Sequence, residues 1–405
     1  MVTTMNDDLF VPDVIRDPYT YFARLREEDP IHWNGKHGTW IVTRYDDVLW
    51  LVRHPELFSN RVPQREQYPP IDESDLDLQQ IVNRFFFDFL VYQDPPKHTE
   101  MRKQVHAYLT PKAMERLRPS IQSIIEDLLD KAEAKGRMDL QQDFAMALPL
   151  LVIAHLMGLP NQDRKFIQEQ LAPKLLYMSR GEGNRMQMLC QGIRELRAYF
   201  APIVAERVAN PGEDLLSVLA RGEKSGAYTR DQVVANAILL LVAGYNTTGD
   251  LICNGTLAFL RHPEQWEAFK RDPTQASRLA IEECLRYDSP QKTVTRMATD
   301  DIQMRDGKVI RKLDRVRWVI ASANRDPEQF PEPNAFDIKR NPNAHLSFGA
   351  GIHYCVGATL TRVESAEAFK ALAVRFPNLR LEEEQPKYQP SVSFRTINGM
   401  PVAWK

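Results

Sequence analysis

Much of what marks a secreted, membrane or nucleic-acid-binding protein is missing from this chain. Its 405 residues include four cysteines, at 190, 253, 284 and 355, with no Cys-x-x-Cys pair. That spacing excludes a disulfide framework and a structural zinc site, and it agrees with a reducing compartment. The first stretch, Met1 to Asp17, is polar and acidic with no apolar run, so neither a signal peptide nor a membrane anchor is expected. Neither sign of charge dominates: 52 Lys and Arg face 54 Asp and Glu, a net charge of −2. Bulk charge therefore implies no nucleic-acid or membrane-surface partner. Internal repeats and low-complexity linkers are absent too. The length would suit two or three average domains, yet a 43% hydrophobic content without an obvious linker permits one large one. The expectation is a single cytoplasmic domain over residues 1–405.

The dominant period is helical. Ile121, Ile124, Ile125, Leu128 and Leu129 follow the i, i+3, i+4, i+7, i+8 template on a helix that enters near Pro119 and stops at Gly136. Further helices are predicted at Tyr19 to Glu28, Gln162 to Met178, Leu189 to Ala209, Gln232 to Leu260, Ala276 to Tyr287 and Thr359 to Arg375, with Pro173 and Pro202 able to kink two of them. Strand character is confined to short segments, Trp40 to Thr43 and Val316 to Ile320, with Asp306-Gly307 as a hairpin turn. The fold class is therefore mainly α with small β-sheets.

The most informative segment is Phe348-Gly349-Ala350-Gly351-Ile352-His353-Tyr354-Cys355-Val356-Gly357. It holds one cysteine in a glycine-relaxed loop that runs into a helix. The glycines allow sharp turns and close approach to a flat ligand, and the helix start offers unpaired N–H groups that favour a thiolate. Taken alone, a cysteine near glycines is usually a small buried hydrophobe. A thiolate on a loop, with Phe348 beside it, instead suits an axial haem ligand. The segment resembles the haem-binding loop of the cytochrome P-450 superfamily, Phe-x-x-Gly-x-His-x-Cys-x-Gly, with every fixed position filled. The resemblance covers nearly the whole chain, from Asp17-Pro18-Tyr19 to Met400-Pro401-Val402. It implies a triangular haem-thiolate fold, haem b bound through Cys355, and a soluble bacterial enzyme.

Other motifs stand in register with that loop. Glu283 and Arg286, at i and i+3 on one helix face, resemble the superfamily's Glu-x-x-Arg pair, with Arg340 as the arginine that joins them. The resemblance makes His98, Arg102, Arg296 and His353 contacts to the haem propionates, since buried anions demand cationic or hydrogen-bonding partners. In the long helix, Ala243-Gly244-Tyr245-Asn246-Thr247-Thr248 resembles the oxygen-activation motif, with the Ala243 and Gly244 backbone opening a pocket and Thr247 delivering protons. Asn246 stands where most relatives carry a carboxylate, and an amide does not shuttle protons by titrating. Phe86, Phe87, Leu90, Met178, Val242, Val294 and Phe394 fall in segments that line the substrate pocket of relatives.

The implied activity is monooxygenation of a small-to-medium apolar substrate with O2. Electrons would come from a ferredoxin and an NAD(P)H-dependent ferredoxin reductase, because no reductase is fused, and Lys103, Lys112 and Arg116 are candidate docking cations. Asn246 leaves two alternatives open: a non-oxygenase haem protein, of nitric-oxide-reductase or ligand-binding type, and peroxide-driven or oxidative-coupling chemistry.

Overall fold

The structure is a computed structural model that describes residues 7–61, 76–163, 166–167 and 185–405. Its helices in chain order are α1 (Pro12–Arg16), α2 (Pro18–Glu28), α3 (Tyr45–Arg53), α4 (Leu76–Phe87), α5 (Lys97–Tyr108), α6 (Pro111–Arg116), α7 (Arg118–Glu133) and α8 (Ala147–Leu156). They continue with α9 (Arg185–Ala209), α10 (Leu215–Lys224), α11 (Arg230–Arg261), α12 (Pro263–Arg271), α13 (Pro273–Tyr287), α14 (Ile320–Ala323) and α15 (Ala358–Arg375). Among the described residues, no helix is long and apolar enough to cross a membrane.

The chain divides into two compact units. One comprises Met1–Ser59, Ile125–Met146 and Thr247–Lys405. It carries a five-stranded sheet in the order β1 (Ile31–Asn34), β2 (Thr39–Val42), β8 (Arg315–Val319), β5 (Thr293–Ala298), β3 (Phe58–Ser59). Strands β2 and β8 run parallel, and the other neighbours are antiparallel. A second sheet joins β4 (Arg137–Asp139), β10 (Pro401–Ala403) and β9 (Arg380–Leu381). The hairpin of β6 (Ile302–Gln303) and β7 (Val309–Ile310) turns through Gly307 at φ +84, a left-handed position suited to glycine. Ile31, Val42, Val48, Val316, Trp318, Phe330 and Leu346 form the main core of the sheet, because alternate strand residues point to one face.

The other unit, Asn60–Ile124 and Ala147–Asn246, is helical. Phe85, Phe86, Phe89 and Tyr92 pack there with ring centroids 5.0–6.3 Å apart. Asn236 on α11 fixes the end of this cluster, its Oδ1 accepting from the Leu90 N–H at 2.7 Å and its Nδ2 donating to the Asp88 carbonyl at 2.8 Å.

Helix α11 begins two residues before its sequence-predicted start. The reason is a capping box: the Thr229 hydroxyl accepts from the Gln232 N–H at 3.2 Å, and the Gln232 side chain accepts from the Thr229 N–H at 3.1 Å. Pro202 lies inside α9 without ending it. Ile320 opens α14 instead of closing β8. The helix expected from Gln162 to Met178 lies largely outside the described residues, and so does Met178 itself.

Candidate active site

Of the four cysteines, three are buried and Cys355 alone is partly exposed. Burial pushes the Cys253 and Cys284 thiols well above their ordinary range, so they remain neutral thiols. The loop that presents Cys355 is closed on itself: its N–H donates to the Phe348 carbonyl at 2.8 Å, and the Gly349 N–H donates to Leu346 at the same distance. Gly349 and Gly351 take φ +69 and +66, and a Cβ at Gly351 would come within 3.0 Å of the Val52 carbonyl oxygen. These turns require glycine. Gly357 does a different job, since a Cβ there would stand 3.9 Å from the Cys355 sulfur, in the space beside the thiol. Helix α15 starts at Ala358, three residues after the cysteine.

Behind the loop lies a polar scaffold. Glu283 and Arg286 on α13 are fully buried and paired through two hydrogen bonds of 2.8 Å. Arg286 also donates to the carbonyls of Asn324, Pro333 and Ala335 at 2.8–3.0 Å, and Arg340 reaches Glu283 at 3.2 Å. The structure thus brings Glu283, Arg286 and Arg340 together, with the Ala335 carbonyl as one of the acceptors.

Sequence reasoning missed further members of this scaffold. The Asn324 side chain accepts from the Leu346 N–H at 2.7 Å and donates to the Ser347 hydroxyl at 2.8 Å, and that hydroxyl donates to the Leu285 carbonyl at 2.7 Å. Arg362 on α15 clasps Glu282 with two bonds of 2.6 and 2.8 Å, while His345 lies 2.9 Å from the same carboxylate. Burial alone would raise the Glu282 pKa, but the bonds from Arg362 and His345 outweigh it and hold the group at about 2. The Arg362 guanidinium also covers the Phe348 ring at 4.5 Å. Of these, Asn324 alone carries a sequence signal, because Ala323-Asn324-Arg325-Asp326-Pro327 stands in register between the Glu-x-x-Arg pair and the cysteine loop; Glu282 and Arg362 have none beyond their nearness to the motifs.

The α11 motif has a different character. Leu239, Leu240 and Leu241 are buried and Thr248 to Ala258 nearly all are, yet Ala243 between them is exposed and Val242, Gly244 and Thr247 are partly so. A mid-helix window of accessible surface thus coincides with the motif. Asn246 is 8% exposed, and its Oδ1 has no hydrogen-bond partner. Thr248 meets Thr361 of α15 through their hydroxyls at 3.1 Å.

The other expected contacts are distributed as follows. His98, 1% exposed, and the partly exposed Arg102 are four residues apart on α5. Arg296 lies on β5 with its guanidinium 4.8 Å from the Trp318 ring, and His353 is partly exposed in the short turn before Cys355. Of the pocket candidates, Phe86 belongs to the aromatic cluster and Leu90 is anchored by Asn236, while Val294 packs on the sheet core. Phe87, Val242 and Phe394 are partly exposed.

An accessible thiol with a glycine beside it is what a flat, thiolate-bound cofactor needs, and an accessible helix window with an unpartnered buried amide oxygen is, by itself, what a small polar ligand needs. The donor set fits haem. The comparisons agree: the family model of Cytochrome P450 matches residues 277–397. The polyketide biosynthesis cytochrome P450 PksS of Bacillus subtilis is 36% identical, over 96% of each chain. The biotin biosynthesis cytochrome P450 of the same organism is 33% identical, over 97% of this chain and 98% of its own. The crystal structure of P450BioI, in complex with acyl carrier protein ligated to hexadec-9Z-enoic acid, superposes with a TM-score of 0.87 and 31% identity. It covers 97% of this chain and 99% of that one.

The fold and site define a haem-thiolate oxidoreductase. The chain belongs to the cytochrome P450 family. It is a monooxygenase that holds haem by a cysteine thiolate and uses O2 with electrons from redox partners.

Proposed function

We propose that Cys355 supplies the axial thiolate, and that the enzyme hydroxylates an apolar, acyl-chain-derived compound such as a fatty acyl or polyketide molecule. The observation that carries the first part is that Cys355 is the one cysteine that is not buried, with Gly357 placing no side chain in the space beside its sulfur. The substrate class is supported by two relatives, one of polyketide biosynthesis and one crystallised with an acyl carrier protein. Coverage of whole relatives over 96% of this chain supports a single P450 domain over 1–405.

Thiolate-ligated haem, when bound, activates dioxygen for insertion of one atom into a C–H bond. The chain supplies the rest. His98, Arg102, Arg296 and His353 would hold the propionates by charge-assisted hydrogen bonds. Phe348, whose ring is covered by the Arg362 guanidinium at 4.5 Å, would shield the sulfur. Ala243 and Gly244, lacking bulk, leave room at the helix window, and the Thr247 hydroxyl would pass a proton to reduced oxygen there. Val242, Val294, Phe87 and Phe394 would give the substrate its apolar walls, with Phe86, Leu90 and Met178 behind or around them. An external ferredoxin, reduced by its NAD(P)H-dependent reductase, would dock through Lys103, Lys112 and Arg116, of which Lys103, Lys112 and Arg116 are all exposed.

Replacing Cys355 with Ala should abolish the thiolate-type carbonyl spectrum of the reduced protein. A Cys355→Ala protein that keeps this spectrum refutes the assignment. A haem spin-state screen with fatty acids, acyl carrier protein thioesters and macrolactones tests the substrate class; a response confined to other compound types would reject it.

A further inference from the structure

We propose that Asp250 takes over the acid function that Asn246 cannot perform, so that the proton-relay carboxyl of this chain lies one helical turn beyond its expected place and acts through Thr247. The inference rests on the reading of Thr247 as the proton-delivery alcohol. Asn246, Thr247 and Asp250 lie on the same stretch of α11, and separations of three and four residues put Asp250 on the face shared by the other two. Asp250 is 1% exposed and its Oδ2 accepts from the Thr396 hydroxyl at 2.8 Å.

Tying α11 to the turn at Arg395 and Thr396 does not require an acid. One turn further along, Asn254 makes a similar tie with an amide, its Nδ2 donating to the Arg395 carbonyl at 2.9 Å. An asparagine at 250 would accept the Thr396 hydroxyl equally well, without the desolvation cost of an ionisable group. A carboxyl here, one turn from an amide whose Oδ1 has no partner, points to a proton-handling role. The step moves one proton and no electrons. The Asp250 carboxyl gives its proton towards the Thr247 hydroxyl, Thr247 passes its own to the oxygen being reduced, and Asp250 regains one from water. The electrons of turnover come from the redox partners.

One rival carboxyl is in reach of the same helix pair. Glu364 on α15 is 1% exposed with a partnerless Oε2, burial holds it well above the usual carboxylate range, and it stands three residues from Thr361, which meets Thr248. It lies on a different helix from Thr247, whereas Asp250 shares its face.

The test uses haem-loaded protein with a ferredoxin, its reductase and hexadecanoic acid as probe. The readings are the fraction of NADH electrons recovered as hydrogen peroxide, the C–O infrared stretch of the reduced carbonyl complex, and the melting temperature. Asp250→Asn should raise the peroxide fraction several-fold and shift the C–O stretch. The exchange variant, Asn246→Asp with Asp250→Asn, should restore both, because the acid returns to the position most relatives use. Asp250→Glu, which keeps the carboxyl, should stay near the parent and serves if Asp250→Asn loses haem. Unchanged peroxide and stretch in Asp250→Asn, or a lower melting temperature without rescue by the exchange, would overturn the proposal. So would a several-fold rise in peroxide with Glu364→Gln and none with Asp250→Asn. A Thr247→Ala protein as well coupled as the parent would instead refute the reading on which the proposal stands.

Discussion

The cysteine loop and the helix window solve opposite problems. Around Cys355 almost every polar group has a partner: Glu283 accepts from Arg286, Arg340, Asn343 and the Asp337 N–H, and Arg286 donates to three carbonyls besides. Around Asn246 the helix leaves an amide oxygen without a partner and a small residue exposed among leucines. Full satisfaction makes a rigid mount, whereas an unmatched polar atom in an accessible window is a place for something else to bind. Residues of the first kind should fail in stability, and residues of the second kind in chemistry.

The largest stability effect is expected at Arg286. Arg286→Ala leaves the Glu283 carboxylate buried with Arg340 as its remaining cation and frees three carbonyls, a loss of about 3–5 kcal/mol. Chemical denaturation and haem retention measure it. A variant that unfolds like the parent would show that the cluster does not mount the loop.

Glu282 offers a smaller and pH-dependent version of the same test. Its folded pKa, about 2, lies below the ordinary glutamate value, so the unfolded state binds more protons between them. The stabilisation is therefore present above about pH 4.5 and is lost as pH falls towards 2. Glu282→Gln should cost about 2 kcal/mol at pH 7 and little near pH 2. Equal unfolding of parent and variant across that range would contradict the clasp with Arg362.

How far the sequence foretold each region follows from what local pattern can carry. The cysteine loop was legible because glycine, aromatic and cysteine occur at fixed offsets within ten residues, and Glu283 and Arg286 because helical spacing makes them neighbours. Ser347 and Arg362 were not, since their partners lie 62 and 80 residues away and no spacing rule links them. The start of α11 was missed by two residues because Thr229 and Gln232 act as a reciprocal pair that periodicity does not register. The sheet core was invisible for a related reason, as β2 meets β8 across some 270 residues while each strand alone is only four or five long.

The smallest stability effect belongs to the helix window. In Asn246→Leu the side chain keeps its approximate size while the amide is lost. Because the Oδ1 has no partner to abandon, the melting temperature should stay close to that of the parent, within about 1 kcal/mol in stability. The chemistry should not stay close: without the amide to orient water or a substrate oxygen beside Thr247, more electrons should end in peroxide. That combination, unchanged stability with poorer coupling, is the inverse of what Arg286→Ala should show. A loss of stability as large as that of Arg286→Ala, with coupling intact, would place Asn246 among the structural groups and erase the contrast between the two regions.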